Sequence, residues 1–69
     1  MIIKMWIARD RTGLWIYNSR PKLYKAVNEF GCPMGENYGE LPPSWFPEVT
    51  FENSPQKVEI KLVNNEYKD

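Results

Sequence analysis

The stretch WIARDRTGLWIYN, Trp6 to Asn18, predicts a β-hairpin. At its centre, DRTG places Asp10 at the first position of a type I turn and Gly13 where a left-handed residue closes the loop with a bulge. The flanking residues are aromatic, aliphatic and β-branched, as is typical of strands. Closing the hairpin at this turn predicts three cross-strand neighbours: Trp6 with Tyr17, Ile7 with Ile16, and Ala8 with Trp15.

Strand patterns continue on both sides of this hairpin. Upstream, the run IIKMWI, Ile2 to Ile7, indicates a strand buried at least partly on both faces. Near the other end, KVEIKLV, Lys57 to Val63, alternates strictly and predicts a strand antiparallel to one member of the hairpin, close to a sheet edge. We expect this strand to expose Lys57, Glu59 and Lys61 and to bury Val58, Ile60 and Leu62.

The segment from Lys22 to Phe30 has a helical spacing of apolar residues. Its Leu23, Val27 and Phe30 stand at i, i+4 and i+7, which predicts a short amphipathic helix docked on the sheet. The expected end signals are Ser19 as N-cap, Pro21 in the first turn and Gly31 as the stop. An irregular excursion over the sheet is the alternative. Residues 31–40 contain three glycines and a proline and predict a loop, with room for a short strand around Tyr38.

The stretch LPPSWFPEVTF, residues 41–51, holds three prolines and three large aromatic residues. Pro43, Ser44 and Trp45 predict a tight turn that Pro47 ends, and a residue that precedes proline, here Phe46, is expected to be extended. We expect this segment to act as a lid over the core, burying Phe46, Val49 and Phe51. Trp45, at the apex of the turn, is the ring expected to stay accessible to a partner.

Length and composition predict a small domain spanning residues 1–63, with a polar tail, residues 64–69, that frays. The predicted class is α+β, mainly β: a small antiparallel sheet with the N-terminal hairpin, the C-terminal strand and one short helix or loop excursion. One cysteine and no histidine exclude an intrachain disulfide and almost exclude a zinc site of thiolate or imidazole ligands. The same composition favours a reducing compartment, so we expect a cytoplasmic protein. The N-terminus predicts neither a signal peptide nor a membrane span.

No residue pattern points to catalysis. The commonest proton-transfer residue, histidine, is absent. Three serines, Ser19, Ser44 and Ser54, stand in turn-forming contexts without an activating base, and no glycine-rich phosphate loop is present. Cys32 has no basic neighbour in sequence, which favours an inert thiol. We therefore expect a protein that is not an enzyme and binds no cofactor.

Aromatic and basic residues supply the candidate contacts with a partner. Residues 1–30 hold six bases and two acids, and residues 31–69 hold three bases and seven acids, so the net charge is zero but unevenly spread. A protein partner is the leading expectation. Binding of single-stranded nucleic acid through the hairpin is the first alternative, and self-association into a homodimer is the second. The residues that we expect to touch a partner are Trp6, Arg9, Arg11, Trp15, Tyr17 and Trp45.

At LWIYNSRP and at LPPSWFPEVTFENSPQKVEIKL the chain resembles a group of very short uncharacterised proteins encoded by phages and mobile elements of gut bacteria. Their outline has an opening like WIARDRTG, a second strand like LWIYN, a proline soon after, and a closing block of the form LFPEVTWENSP followed by VEL. The resemblance covers residues 6–21 and 45–62, whereas Pro43 and Trp45 stand where smaller or less rigid residues are expected. It implies a phage or mobile-element context. The small size, the missing catalytic groups and the surplus of aromatic residues lead us to expect that the chain occludes a surface of a host protein, including a defence component. The resemblance implies no established activity.

Overall fold

The computed structural model of the chain describes residues 2–32 and 38–62, and this part is mainly β. The strands are β1 (Ile2–Asp10), β2 (Gly13–Tyr17), β3 (Lys22–Tyr24), β4 (Glu29–Gly31), β5 (Tyr38–Leu41) and β6 (Gln56–Lys61). Four of them form an antiparallel sheet of order β5-β2-β1-β6, and β3 and β4 form a separate two-stranded sheet. The described residues form no helix, and therefore no helix that is long and apolar enough to cross a membrane.

The predicted N-terminal hairpin is confirmed with its register. Trp6 pairs with Tyr17, Ile7 with Ile16, and Ala8 with Trp15. Gly13 has a φ of +136°, a backbone conformation that side-chain-bearing residues rarely adopt. The glycine expected to close the turn is therefore required there by the backbone.

The helix predicted over Lys22 to Phe30 is wrong, because these residues form most of the β3–β4 hairpin. The Val27 amide donates to the Tyr24 carbonyl to make the turn, and Asn28 follows with a φ of 56°. Asparagine tolerates this left-handed conformation better than most residues. Three apolar residues at helical spacing over nine positions are too few to nucleate a stable helix, and Val27 projects into solvent instead of docking.

The four-stranded sheet has a different cover on each face. The side chains of Ile7 and Leu14 lie on one face and form the buried core with Val49, against which Ile16, Leu41 and Val58 pack. We call residues 42–55 the lid segment, because Val49 comes from it. The β3–β4 hairpin packs on β1, where Ala8 points to the opposite face from Ile7.

The lid segment is a succession of tight turns. The Trp45 amide donates to the Pro42 carbonyl at 3.0 Å, the Val49 amide to the Phe46 carbonyl at 2.9 Å, and the Ser54 amide to the Phe51 carbonyl at 3.3 Å. The predicted burial of Val49 is confirmed, while Phe51 is half-buried and packs near Phe30.

Two predictions about Phe46 are wrong. Its φ is 50°, so it is left-handed instead of extended, and its side chain is 42% exposed instead of buried. The physical reason is its position between two consecutive turns, where the chain must reverse direction twice within eight residues. A left-handed residue joins the two turns at a local conformational cost that the surrounding hydrogen bonds offset.

The C-terminal strand is confirmed as β6, antiparallel to β1 at one edge of the sheet. The predicted exposure of Lys57, Glu59 and Lys61 is confirmed. The predicted burial of the alternate residues is wrong, because Val58 is only half-buried, Ile60 is 47% exposed and Leu62 is 82% exposed. Val49 packs over Ile7 and Leu14, and the apolar side chains nearer the start of β1 stay open. The short strand expected around Tyr38 is confirmed as β5. Val63 and the predicted tail at 64–69 lie outside the described residues.

Candidate functional site

Arg9 holds the lid segment through backbone carbonyls. Its Nε donates to the Val49 carbonyl at 2.6 Å, one terminal nitrogen to the Pro43 carbonyl at 2.9 Å, and the other to the carbonyls of Trp45 at 2.7 Å and Phe46 at 3.1 Å. The rigid guanidinium fork offers five donors in one plane, which suits several carbonyls that turn toward one point. The arrangement fixes the path of the chain through the two turns that present Trp45 and Phe46.

A second contact ties the end of the lid segment to the same residue. The backbone amide of Arg9 donates to Ser54 Oγ at 2.9 Å, and this hydroxyl donates to the Thr50 carbonyl at 2.5 Å. Asn53 adds local support, because its side chain bonds to the Thr50 amide at 2.8 Å and the Glu48 carbonyl at 2.9 Å. The lid segment is thus organised by hydrogen bonds around a small apolar contact.

On the opposite face of the sheet, Asp10 holds the β3–β4 hairpin, as Arg9 holds the lid segment. It is buried, and its Oδ1 accepts from both the amide and the hydroxyl of Thr12, at 2.8 Å and 2.5 Å. Its Oδ2 accepts from the Phe30 amide at 2.8 Å, which ties β4 to the end of β1. Trp15 Nε1 extends the network by donating to Thr12 Oγ1 at 2.8 Å. Consecutive strand residues point to opposite faces, so Arg9 and Asp10 reach opposite covers of the sheet.

The lid segment presents an exposed aromatic pair. Trp45 is 51% exposed and Phe46 is 42% exposed, and their ring centroids lie 6.4 Å apart at an interplanar angle of 82°. This edge-to-face geometry is favourable between aromatic rings. Because the carbonyls of both residues bond to Arg9, the backbone that carries the rings is held by hydrogen bonds within the chain. We call Trp45 and Phe46 the lid aromatic pair.

The other predicted contact residues have internal partners. Trp6 has the Arg20 guanidinium and the Lys57 ammonium each 5.0 Å from its ring centroid. Arg11 is largely exposed and forms a 2.7 Å ion pair with Glu29. Trp15 is half-buried, with its ring edge-on to Tyr38 at 5.8 Å. Their roles as partner contacts stay predictions.

Tyr17 is only 2% exposed, and its ring stacks on Tyr38 at 5.9 Å. Its hydroxyl donates to the Phe30 carbonyl at 3.4 Å. Burial, with a smaller contribution from the negative charge of Asp10, raises the pKa of the Tyr17 phenol well above its usual value. The phenol therefore stays neutral and helps to hold the β3–β4 hairpin against the sheet. Because the Tyr17 ring is buried, it offers no face on which a nucleic-acid base could stack.

The structure brings Arg9 and Trp45 into one arrangement, which sequence reasoning did not foresee. Sequence reasoning also assigned Phe46 to the core, although it belongs to the exposed pair. A signal for an exposed Phe46 was present, because the prolines on both sides of SWF favour turns, and turns run mostly over the protein surface. No sequence signal marked Arg9 as the residue that binds the turn carbonyls.

The described residues contain no group of three or more histidine, cysteine or acidic side chains placed to hold a metal ion. Cys32 is half-buried, with its sulfur 3.8 Å from Ser19 Oγ. No protein-family model matches the chain, and the searches of curated proteins and of solved structures found no significant match. Any proposal about function therefore depends on this geometry and on the sequence patterns.

Proposed function

We propose that this chain is a non-enzymatic protein-binding module whose contact surface is the lid aromatic pair. The observation that carries the proposal is that Trp45 and Phe46 are both substantially exposed and sit on a backbone held by Arg9. Tryptophan is among the residues most enriched at the energetic centres of protein interfaces. A preformed loop also loses less conformational freedom on binding than a mobile one.

The surroundings of the pair support a protein partner more than a nucleic acid. Binding of single strands needs free aromatic faces next to free cations. Arg9 directs its guanidinium to carbonyls of the lid segment, Arg11 is paired with Glu29, and the Tyr17 ring is buried. Beside the lid aromatic pair, Glu48 adds a negative charge that disfavours phosphate. Nucleic-acid binding stays the second-ranked function. Its test is weaker single-strand binding after Arg11→Ala at low salt, because Arg9→Ala would also release the lid segment.

The setting that we propose is the cytoplasm of a bacterium that carries a phage or mobile element. This part of the proposal is supported by the sequence resemblance around Trp6 to Gly13 and Trp45 to Leu62, and by a composition without disulfide-forming pairs. In that setting, a small rigid aromatic contact acts by covering a surface of a host protein, such as a defence component. The action is occlusion and needs no chemistry.

The test is quantitative capture of a partner from lysate of such a host. Immobilised wild-type chain is expected to retain a saturable partner, and Trp45→Ala is expected to weaken its binding about thirtyfold, as for a central interface tryptophan. Phe46→Ala should weaken it less. Tyr24→Ala is the matched control, because Tyr24 is an aromatic residue that is 40% exposed on the other cover of the sheet.

Thermal unfolding of each variant separates lost binding from lost structure, since truncating two exposed rings should change stability little. A partner that binds the double variant Trp45→Ala/Phe46→Ala as tightly as wild type would contradict the proposal. So would the absence of any saturable partner.

A further inference from the structure

The two edges of the four-stranded sheet differ in how well they are protected. β5 has four residues and runs directly into Pro42 and Pro43, which lack amide donors. β6 has six residues without proline, and in the described part of the chain β1 is its sole neighbour. The outer side of β6 therefore presents a row of backbone N–H and C=O groups, which is a template for another strand.

The core face of β6 is apolar and open. Ile60 is 47% exposed and lies opposite Ile3 of β1, which is also exposed. Leu62 continues this line and is 82% exposed. Exposed β-branched and aliphatic residues on an unprotected edge favour pairing with a strand that carries the same kind of side chains.

The other face of β6 specifies the partner through charge. Lys57, Glu59 and Lys61 alternate in sign along it. In a two-fold symmetric pair of identical antiparallel strands, the residue that lies on the two-fold axis is opposite its own copy. The choice of this residue determines which charged residues of the two copies lie opposite each other. A centre at Glu59 places Glu59 opposite itself and Lys57 opposite Lys61, so every charged pair is repulsive.

We propose that a second copy of this chain pairs with β6 in an antiparallel, two-fold symmetric arrangement centred on Ile60. Glu59 of each copy then lies opposite Lys61 of the other, giving two attractive pairs. Val58 lies opposite Leu62, and Ile60 opposite itself. With the intrachain pairing of Ile3 and Ile60, this makes a row of four isoleucines across an eight-stranded sheet.

A centre at Val58 is the competing register. It also makes attractive pairs, between Lys57 and Glu59, but it places Ile60 opposite Gln56 and Lys61 opposite Pro55. Lys61 faces the apolar Ile2 on its own β1. The Ile60-centred register supplies Lys61 with an opposite charge and matches apolar residues with apolar residues. The proposed pairs involve residues of β6 and Leu62 alone, so the charge variants below test β6 pairing without changing either residue of the lid aromatic pair.

The first test uses charge exchange, followed by sedimentation velocity over a wide range of concentration. Wild type is expected to form a dimer with a Kd on the order of 10 µM to 1 mM, as suits a small interface. Glu59→Lys alone or Lys61→Glu alone should weaken self-association about tenfold or more, because both symmetric pairs become repulsive. An equimolar mixture of these two variants should associate like wild type, and so should the double variant Glu59→Lys/Lys61→Glu.

Each outcome bears on the register as well as on the dimer. If Lys61→Glu self-associates like wild type, the Ile60-centred register is wrong, because the Val58-centred register leaves Lys61 without a charged neighbour in the other copy. A wild-type chain that stays monomeric up to about 1 mM overturns the proposal, since a dimer with a Kd in the expected range would be substantially populated at that concentration. Circular dichroism confirms that each charge variant is folded.

The second test is a disulfide probe in a Cys32→Ser background. Residues directly opposite in an antiparallel pair have Cα atoms about 4.5–5.5 Å apart, within the range of a disulfide. Ile60→Cys is therefore expected to form a covalent dimer on mild oxidation. Val58→Cys is the matched control and should crosslink far more slowly, because its sulfur is four residues out of register with its symmetry mate. Faster crosslinking of Val58→Cys than of Ile60→Cys would overturn the proposed register.

Discussion

The two covers of the sheet are held by opposite charges from adjacent residues of β1. The lid segment has its own turns but no strand ladder, and Arg9 donates to four of its carbonyls. The β3–β4 hairpin has a ladder of its own, and Asp10 accepts from the Phe30 amide and from Thr12. The backbone groups that each cover turns toward β1 determine the charge of the residue that binds them. Carbonyl oxygens of the lid segment accept hydrogen bonds from a cation, and amides on the hairpin side donate hydrogen bonds to an anion.

This difference also predicts how each cover fails. Hydrogen bonds to a charged group contribute about 1.5–3 kcal/mol each, but bonds that share one side chain are lost together and do not add independently. The lid segment depends on one guanidinium, whereas the hairpin keeps its ladder when the carboxylate is removed. We therefore expect removal of the Arg9 guanidinium to lower the free energy of unfolding more than removal of the Asp10 carboxylate, and to affect the lid segment most.

Replacing Arg9 by methionine tests the lid side and is expected to have the largest effect. The variant keeps much of the aliphatic stem but leaves four carbonyls without their donor, so the free energy of unfolding should fall by about 3 kcal/mol. Urea denaturation followed by tryptophan fluorescence measures this loss. Hydrogen exchange at the Val49 amide should accelerate more than exchange at the Phe30 amide.

The matched control is Arg11→Met. This change removes the exposed ion pair between Glu29 and Arg11, which lies in the turn between β1 and β2. Its expected cost is about 0.5 kcal/mol or less, as for surface pairs in general. Equal losses for the two arginine variants would show that the carbonyl bonds of Arg9 contribute nothing beyond ordinary surface charge.

Replacing Asp10 by asparagine tests the hairpin side, with a smaller expected effect. The amide can accept at one oxygen but presents donors where the second carboxylate oxygen accepted, so we expect a loss of about 2 kcal/mol. The exchange pattern should be the reverse of that for Arg9→Met: the Phe30 amide exchanges faster and the Val49 amide is nearly unchanged. Uniform acceleration at both amides would mean that the two covers open as one unit.

Tyr17 supplies the smallest effect at neutral pH and a distinct one in alkali. Because burial raises the pKa of its phenol in the folded state, its contribution to stability is complete below the unfolded pKa of about 10 and is lost as the pH rises above it. Tyr17→Phe should cost about 1 kcal/mol or less at pH 7. Above pH 10 it should lose stability less steeply than wild type. Parallel pH profiles for the two proteins would contradict a buried, neutral phenol.

Sequence patterns predicted what depends on local chemistry. The Asp10-to-Gly13 turn, the register of β1 against β2, and the existence of β5 and β6 follow from turn residues and alternation, which act over a few neighbours. The accessible position of Trp45 was predicted correctly, although Trp45 closes the first turn of the lid segment instead of lying at its apex.

The errors arose where a distant residue determines the local structure. Phe30 is extended because its amide reaches Asp10, twenty positions away, and no helical spacing contains that information. The burial of Ile60 depends on how far the lid segment extends over the sheet, and the path of that segment depends on Arg9. Arg9 itself looked like a surface base, because the carbonyls that it binds lie 34 to 40 residues further along the chain.

Arg9 recognises main-chain atoms only, and this has a consequence for how the protein can change. Carbonyl oxygens at Pro43, Trp45, Phe46 and Val49 are present whatever side chains those positions carry. Substitutions at the two exposed aromatic positions can therefore change the surface that the lid segment presents while its backbone path persists. The lid segment combines a constant backbone anchor with replaceable side chains, which makes it a suitable place to engineer new contacts into this domain.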